Sequence, residues 1–138
     1  MAIRKSNELL DIIHTVFGEW KKLGLELYEC NVNLLDREKK EWTNWGTGIG
    51  EAALPRSFAF PWFDNPFVNQ LYEDTIAGLS YRTYILEGES GRQFLDEMFV
   101  KTDFKNAPEE YRNELYGIPR LYLTHAFMRY GSMDIVGP

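Results

Sequence analysis

The stretch YECNVNLLDREKKEWTNWGTG, residues 28 to 48, decides the fold. Before it, apolar residues recur at helical spacing; from Tyr28 they alternate. Tyr28, Cys30, Val32 and Leu34 share one face of an extended segment, and Glu29, Asn31 and Asn33 share the other. The mixed-charge run from Asp36 to Glu41 reads as a solvated turn. EWTNWGTG then reads as a strand returning beside the first, so a helix followed by an antiparallel hairpin is expected.

Toward the N-terminus, Ser6 or Asn7 can cap the helix and Gly24 can end it. Leu9, Ile13, Val16, Trp20 and Leu23 make one helical stripe, widened by Leu10, Ile12 and Phe17, so this helix docks on something. Toward the C-terminus, Phe58, Phe60 and Trp62 alternate as in a strand, and Pro61 confines that strand to an edge or an end. Asn65 caps the next helix with Pro66 at its first position, and Gly78 closes it. Val68, Leu71, Tyr72, Thr75 and Ile76 form its buried stripe.

Residues 80–87, SYRTYILE, read as a strand. Ser90 and Gln93 fit a capping box for a helix that buries Phe94, Leu95, Met98 and Phe99. Asn106 and Pro108 open a short acidic helix that Gly117 and Pro119 end. RLYLTHAFMRY is the longest strand candidate, with Leu121, Leu123, His125 and Phe127 on one face and Tyr122, Thr124, Ala126 and Met128 on the other. Gly131-Ser132 reads as a hairpin turn into MDIV. Two hairpins among helices define an α+β chain with an antiparallel sheet, not a doubly wound one.

The 138 residues fit one domain, 1–138. A chain of this length hides roughly two thirds of its unfolded surface, enough for a core without metal or disulfide. Fifteen basic residues against 21 acidic ones, with no basic stripe, exclude a nucleic-acid partner. The single cysteine, Cys30, rules out an internal disulfide and suits a reduced compartment. The N-terminus lacks the apolar run of a signal peptide and no segment has the length of a membrane span, so a cytoplasmic location is expected.

Few residues carry recognisable chemistry. Gly46, Gly48 and Gly50 begin a dinucleotide pattern, but Glu51 stands where its third glycine belongs and would repel a pyrophosphate. No Gly-Lys-Ser/Thr follows, which excludes a P-loop. His14 and His125 lie far apart, without the spacing of a zinc site. Ser57, Ser80, Ser90 and Ser132 lack a nucleophile elbow. Cys30 and His125 could form a dyad only if their strands put them on one face. Glu109 and Glu110 suit a helix N-terminus, and Asp64 and Asp134 border turns. No catalytic or metal-ligating residue is assigned. The aromatics from Phe58 to Phe99 remain as either ordinary core or the wall of an apolar pocket.

The helix ELLDIIHTVFGEW, running through LGL into YECNVNLL, is similar to the start of a GAF domain, and RLYLTHAFMRYG with SMDIVG to its final strand pair. FAFPWFDNPF resembles the aromatic-proline segment of GAF-like sensor modules in bacterial multidomain histidine kinases. The resemblance spans nearly the whole chain. It implies about six antiparallel strands with helices on both faces. An N-terminal and a closing C-terminal helix would cover one face, and loops and short helices would enclose a ligand cavity on the other. The closing helix has no counterpart in these residues and is expected beyond Pro138, in a larger signalling protein.

The Asn-Lys-Phe signature of cyclic-nucleotide-binding members is not present, and Cys30 is not placed like a bilin-attachment cysteine, so neither ligand is carried over. The cofactor is left open. The resemblance implies a sensory domain that binds a small molecule or a neighbouring domain, relays to a downstream kinase, and dimerises through its first helix. Phe58, Phe60, Trp62, Tyr72, Phe94, Met98 and His125 are the expected ligand-binding residues. Two rival readings stand beside it. One is a small α+β enzyme using His125 with Asp134 or Asp64 as acid and base; the other is a dimerisation module without a ligand.

Overall fold

The computed structural model describes residues 6–50, 54 and 57–138, with Ser6 and Asn7 described by backbone alone. The expected Ser6 or Asn7 cap and the role of Glu51 lie outside what is described.

Helix α1 (Ser6–Lys22) leads into strands β1 (Glu29–Asp36), β2 (Glu41–Gly46) and β3 (Phe58–Pro61). Helix α2 (Pro66–Ala77), strand β4 (Tyr81–Glu87) and helix α3 (Gly88–Lys101) follow. A 3-10 turn (Asp103–Asn106), helix α4 (Glu109–Gly117) and strands β5 (Arg120–Met128) and β6 (Gly131–Gly137) complete the order. The six strands form one open antiparallel sheet in the order β3-β2-β1-β6-β5-β4, so the fold is α+β. The earliest and latest strands are central neighbours, and Asn31 sits opposite Asp134.

Alternation in β1 sets up both faces. Cys30 and Trp45 pack with Ile13 of α1, and Leu9, Leu10, Phe17, Trp20, Val32, Leu34, Met133 and Ile135 surround them. Ile13 is 1% exposed, a burial that contributes about 1.5–3 kcal/mol. Two residues of the expected stripe are not covered: Ile12 and Leu23 are 60% and 78% exposed, since both diverge from the line through Leu9, Ile13 and Trp20 that meets the sheet. The opposite face of the sheet is covered by α2, α3, the 3-10 turn and α4, which hold the larger core around Phe58, Phe94, Phe99 and Leu115.

Several local signals act as the sequence indicates. Asp36 Oδ1 accepts from the Glu38 and Lys39 amides and folds the β1–β2 turn. Asn65 Oδ1 accepts from the Phe67 and Val68 amides, and Gly78, left-handed at φ 70°, ends α2. Pro61 closes β3, which is an edge strand. Within α2, however, Ile76 faces solvent and Asp74 is buried. The Asp74 carboxylate accepts from Arg82 at 2.8 Å and from the Tyr84 hydroxyl at 2.5 Å, tying α2 to β4.

Two expectations are corrected. Helix α3 starts at Gly88, two residues before the expected Ser90 cap, and the Ser90 hydroxyl donates back to the Glu87 carbonyl. The β5–β6 turn is Arg129-Tyr130, with Met128 opposite Gly131, so Gly131 and Ser132 belong to the strand. Glycine is required at 131 by packing and by its positive φ of 155°, not by a place in the turn. A Cβ there would stand 1.8 Å from the Asn33 backbone oxygen.

Candidate functional site

Between the sheet and its covering helices lies a cavity of about 100 Å³. That volume holds about three waters, or a compact molecule of a few heavy atoms. Its roof is apolar, with Phe67 and Leu71 from α2, Phe94, Leu95 and Met98 from α3, Phe104 from the 3-10 turn and Leu115 from α4. Its floor is the inward face of the sheet, where Glu29, Asn31, Asn33, Asn44, His125 and Asp134 gather.

Register explains the gathering. Asn31, Asp134 and His125 are consecutive cross-strand partners on β1, β6 and β5, and Asn44, Asn33 and Ser132 are consecutive partners on β2, β1 and β6. An ionised carboxylate only accepts, so it dictates how neighbouring amides turn. Asp134 Oδ2 takes the Asn31 amide at 3.0 Å, and Oδ1 takes the Asn33 amide at 2.7 Å. Asn33 therefore presents its own oxygen to Asn44, whose amide nitrogen donates to it at 2.7 Å. The relay ends at Asn44 Oδ1, which is buried without a donor. Gly46 belongs to this arrangement too, because a Cβ there would stand 2.3 Å from Asn31 Oδ1.

His125 Nδ1 lies 2.9 Å from Ser132 Oγ, and Nε2 lies 3.9 Å from Asp134 Oδ1. Burial lowers the imidazole pKa against the opposing pull of Asp134, so the ring is held neutral. The Tyr111 hydroxyl donates to both oxygens of Glu29, at 3.1 and 2.8 Å. Burial nevertheless raises the Glu29 pKa from 4.5 to about 7, since desolvation outweighs that bond and nearby Asp134 adds to the rise.

Of the expected ligand-binding residues, Phe60, Phe94, Met98 and His125 line this cavity. Phe58, Trp62 and Tyr72 are not part of its lining. Phe58 stacks on Phe104 with centroids 4.9 Å apart. Trp62 and Tyr72 instead hold the Lys40 ammonium, 4.0 and 4.6 Å from their ring centroids, and the Trp62 indole donates to Asn69. Asp134, read as bordering a turn, stands mid-strand on the floor, whereas Asp64 is exposed and accepts from Asn69. Cys30 faces α1 on the opposite side of the sheet from His125, so no dyad forms; burial pushes its thiol up to about 12.

The sequence reading missed the floor itself. Three asparagines on two adjacent strands were the available signal, because asparagine is a poor strand former and needs a reason to be there. Among the described residues, no three His, Cys, Asp or Glu side chains gather closely enough to hold a metal ion. Nor is any described helix long and apolar enough to cross a membrane.

The molecule is thus an α+β protein with an open antiparallel sheet and a polar-floored cavity under an aromatic roof. Comparison of the chain with models of known families, with curated proteins and with solved structures finds no match.

Proposed function

We propose that the chain is a GAF-type sensory domain of a signalling protein, a two-component histidine kinase being the parent that the sequence resemblance favours. Its cavity binds a small molecule, and β1 relays the event to α1 and from there to a downstream kinase or a second copy of the chain. One observation carries this reading. Strand β1 sends Asn31 and Asn33 into the cavity and the alternate residues Cys30 and Val32 under α1. A ligand that shifts the floor by a few tenths of an ångström therefore moves the surface on which the helix rests. The ligand biases the output only as far as it prefers one arrangement of that surface over another.

A thermal-shift screen with compounds of a few heavy atoms tests the reading. A true ligand raises the melting temperature. Val136→Phe, which pushes a ring into the cavity, abolishes that rise while the protein still melts cooperatively; Asn44→Leu serves if the first variant does not fold. A ligand unaffected by both variants sits elsewhere and contradicts the proposal.

A second reading rests on Ser132, His125 and Asp134, which lie in sequence around one imidazole. An acyl-transfer enzyme would use Ser132 as nucleophile and His125 as base. Against it, Ser132 is 1% exposed in a strand paired on both sides, so the surrounding backbone N–H groups are spent in the sheet and do not form an oxyanion hole. A burst of p-nitrophenol from p-nitrophenyl acetate, lost in Ser132→Ala, would favour the enzyme.

A further inference from the structure

The chemistry of the cavity goes beyond its existence. Among the described residues, its lining includes the carboxyl groups of Glu29 and Asp134 and the imidazole of His125, and no lysine or arginine. The amide and phenol donors on the floor are committed. Asn31 and Asn33 donate to Asp134, Asn44 donates to Asn33, and Tyr111 donates to Glu29. What the floor leaves open is acceptors, foremost Asn44 Oδ1, which belongs to a residue 8% exposed and lacks any donor. A buried carboxylate satisfied by amides alone still lacks a countercharge, and a buried carbonyl without a donor is costly to leave unmet.

We infer that the cavity binds a small organic cation, a primary ammonium that donates to Asn44 Oδ1 within the field of Asp134 while its apolar body lies against Phe60, Phe94 and Met98. The inference rests on the cavity being a binding site, as proposed above. Size limits the guest to a few heavy atoms. Charge disfavours an anion, which would face the Asp134 carboxylate and, once it ionises, that of Glu29. An organic cation is favoured over a metal ion because the described acidic and imidazole groups do not form a metal-ligand cluster. The aromatic part of the roof adds to the preference, since ring faces attract cations.

The test is a titration of the ¹⁵N-labelled chain with three probes of one shape: isobutylammonium, isobutanol and isobutyrate. The side-chain amides of Asn31, Asn33 and Asn44 report on the floor. Isobutylammonium is expected to saturate their shifts at least about tenfold more tightly than isobutanol, as a charge-assisted bond requires, and isobutyrate to leave them unmoved. Asn44→Ala removes the free carbonyl and should weaken the ammonium by about tenfold, and isobutanol, whose hydroxyl donates without charge, by clearly less. Asp134→Asn should do the same, and a cooperative melt confirms that each variant is folded. Isobutanol or isobutyrate binding as tightly as the ammonium would overturn the cation and leave the pocket standing. Silence from all three probes at the floor amides would overturn the cation and count against the pocket as well.

Discussion

Asn33 donates to Asp134 at 2.7 Å, and that bond orients a chain of side chains three strands wide. Asp134 turns Asn33, Asn33 turns Asn44, and the last carbonyl in the line has nothing to accept from. The floor is polar, buried and nearly satisfied, the condition in which loss of one member is most costly.

Asn33→Leu removes a donor from Asp134 and the acceptor of Asn44 in one step. The expected loss is about 2–4 kcal/mol, because a buried charge and a buried amide are both left short. Urea denaturation measures it. Asn113→Leu, on the exposed side of α4, should change stability by less than about 0.5 kcal/mol. Equal losses at the two sites would contradict the relay.

Stability should depend on pH through Glu29, whose pKa rises from 4.5 to about 7 on folding. The folded protein then keeps a proton that the unfolded chain has released. The stability this provides is complete below pH 4.5 and is lost as pH climbs through about 7, by about 3 kcal/mol in all. His125 acts in the reverse sense. Its pKa falls from 6.5 on folding, so acidification below that value protonates the unfolded chain first and destabilises the fold. Glu29→Gln keeps an acceptor for Tyr111 and deletes the first effect. Its stability relative to the parent should rise between pH 4.5 and 7 and then level off; a difference that ignores pH would sink the assignment.

Gly131→Ala should cost more than about 3 kcal/mol, since its Cβ would collide with the backbone of β1, which cannot move without breaking the central strand pair. Thermal melting checks this, and a variant within about 1 kcal/mol of the parent would show that β1 and β6 are less closely apposed.

Much of this architecture is legible in the sequence. The alternation of β1, the Asn65-Pro66 start of α2, its Gly78 stop and the edge position of Pro61 each follow from one residue's conformational limits. Alternation gives the parity of a strand, however, and not what covers each face. Glu29, Asn31 and Asn33 share a face in the sequence, but their burial depends on Asp134, about a hundred residues away, and on a register that nothing local encodes. Gly131 misleads for a related reason. A glycine forced by a neighbouring strand looks the same in sequence as a glycine forced by a turn. The aromatics divided similarly, since Trp62 and Tyr72 serve Lys40, a partner set by the folded β1–β2 turn.

Val136→Leu adds one methylene beside the cavity. The void can take it without strain, so a gain of about 0.8 kcal/mol is expected in urea denaturation. A loss larger than about 1 kcal/mol would show that the site is already filled to contact.

The central claim is that the cavity floor and the α1 surface are two sides of one mechanical element. The most direct measurement is a ¹⁵N titration with a cavity ligand, followed at once on the floor amides of Asn31, Asn33 and Asn44 and on the indoles of Trp20 in α1 and Trp45 on the strand face beneath it. The account predicts that both sets move with the same saturation curve. Floor amides that shift while both indoles stay still would contradict it.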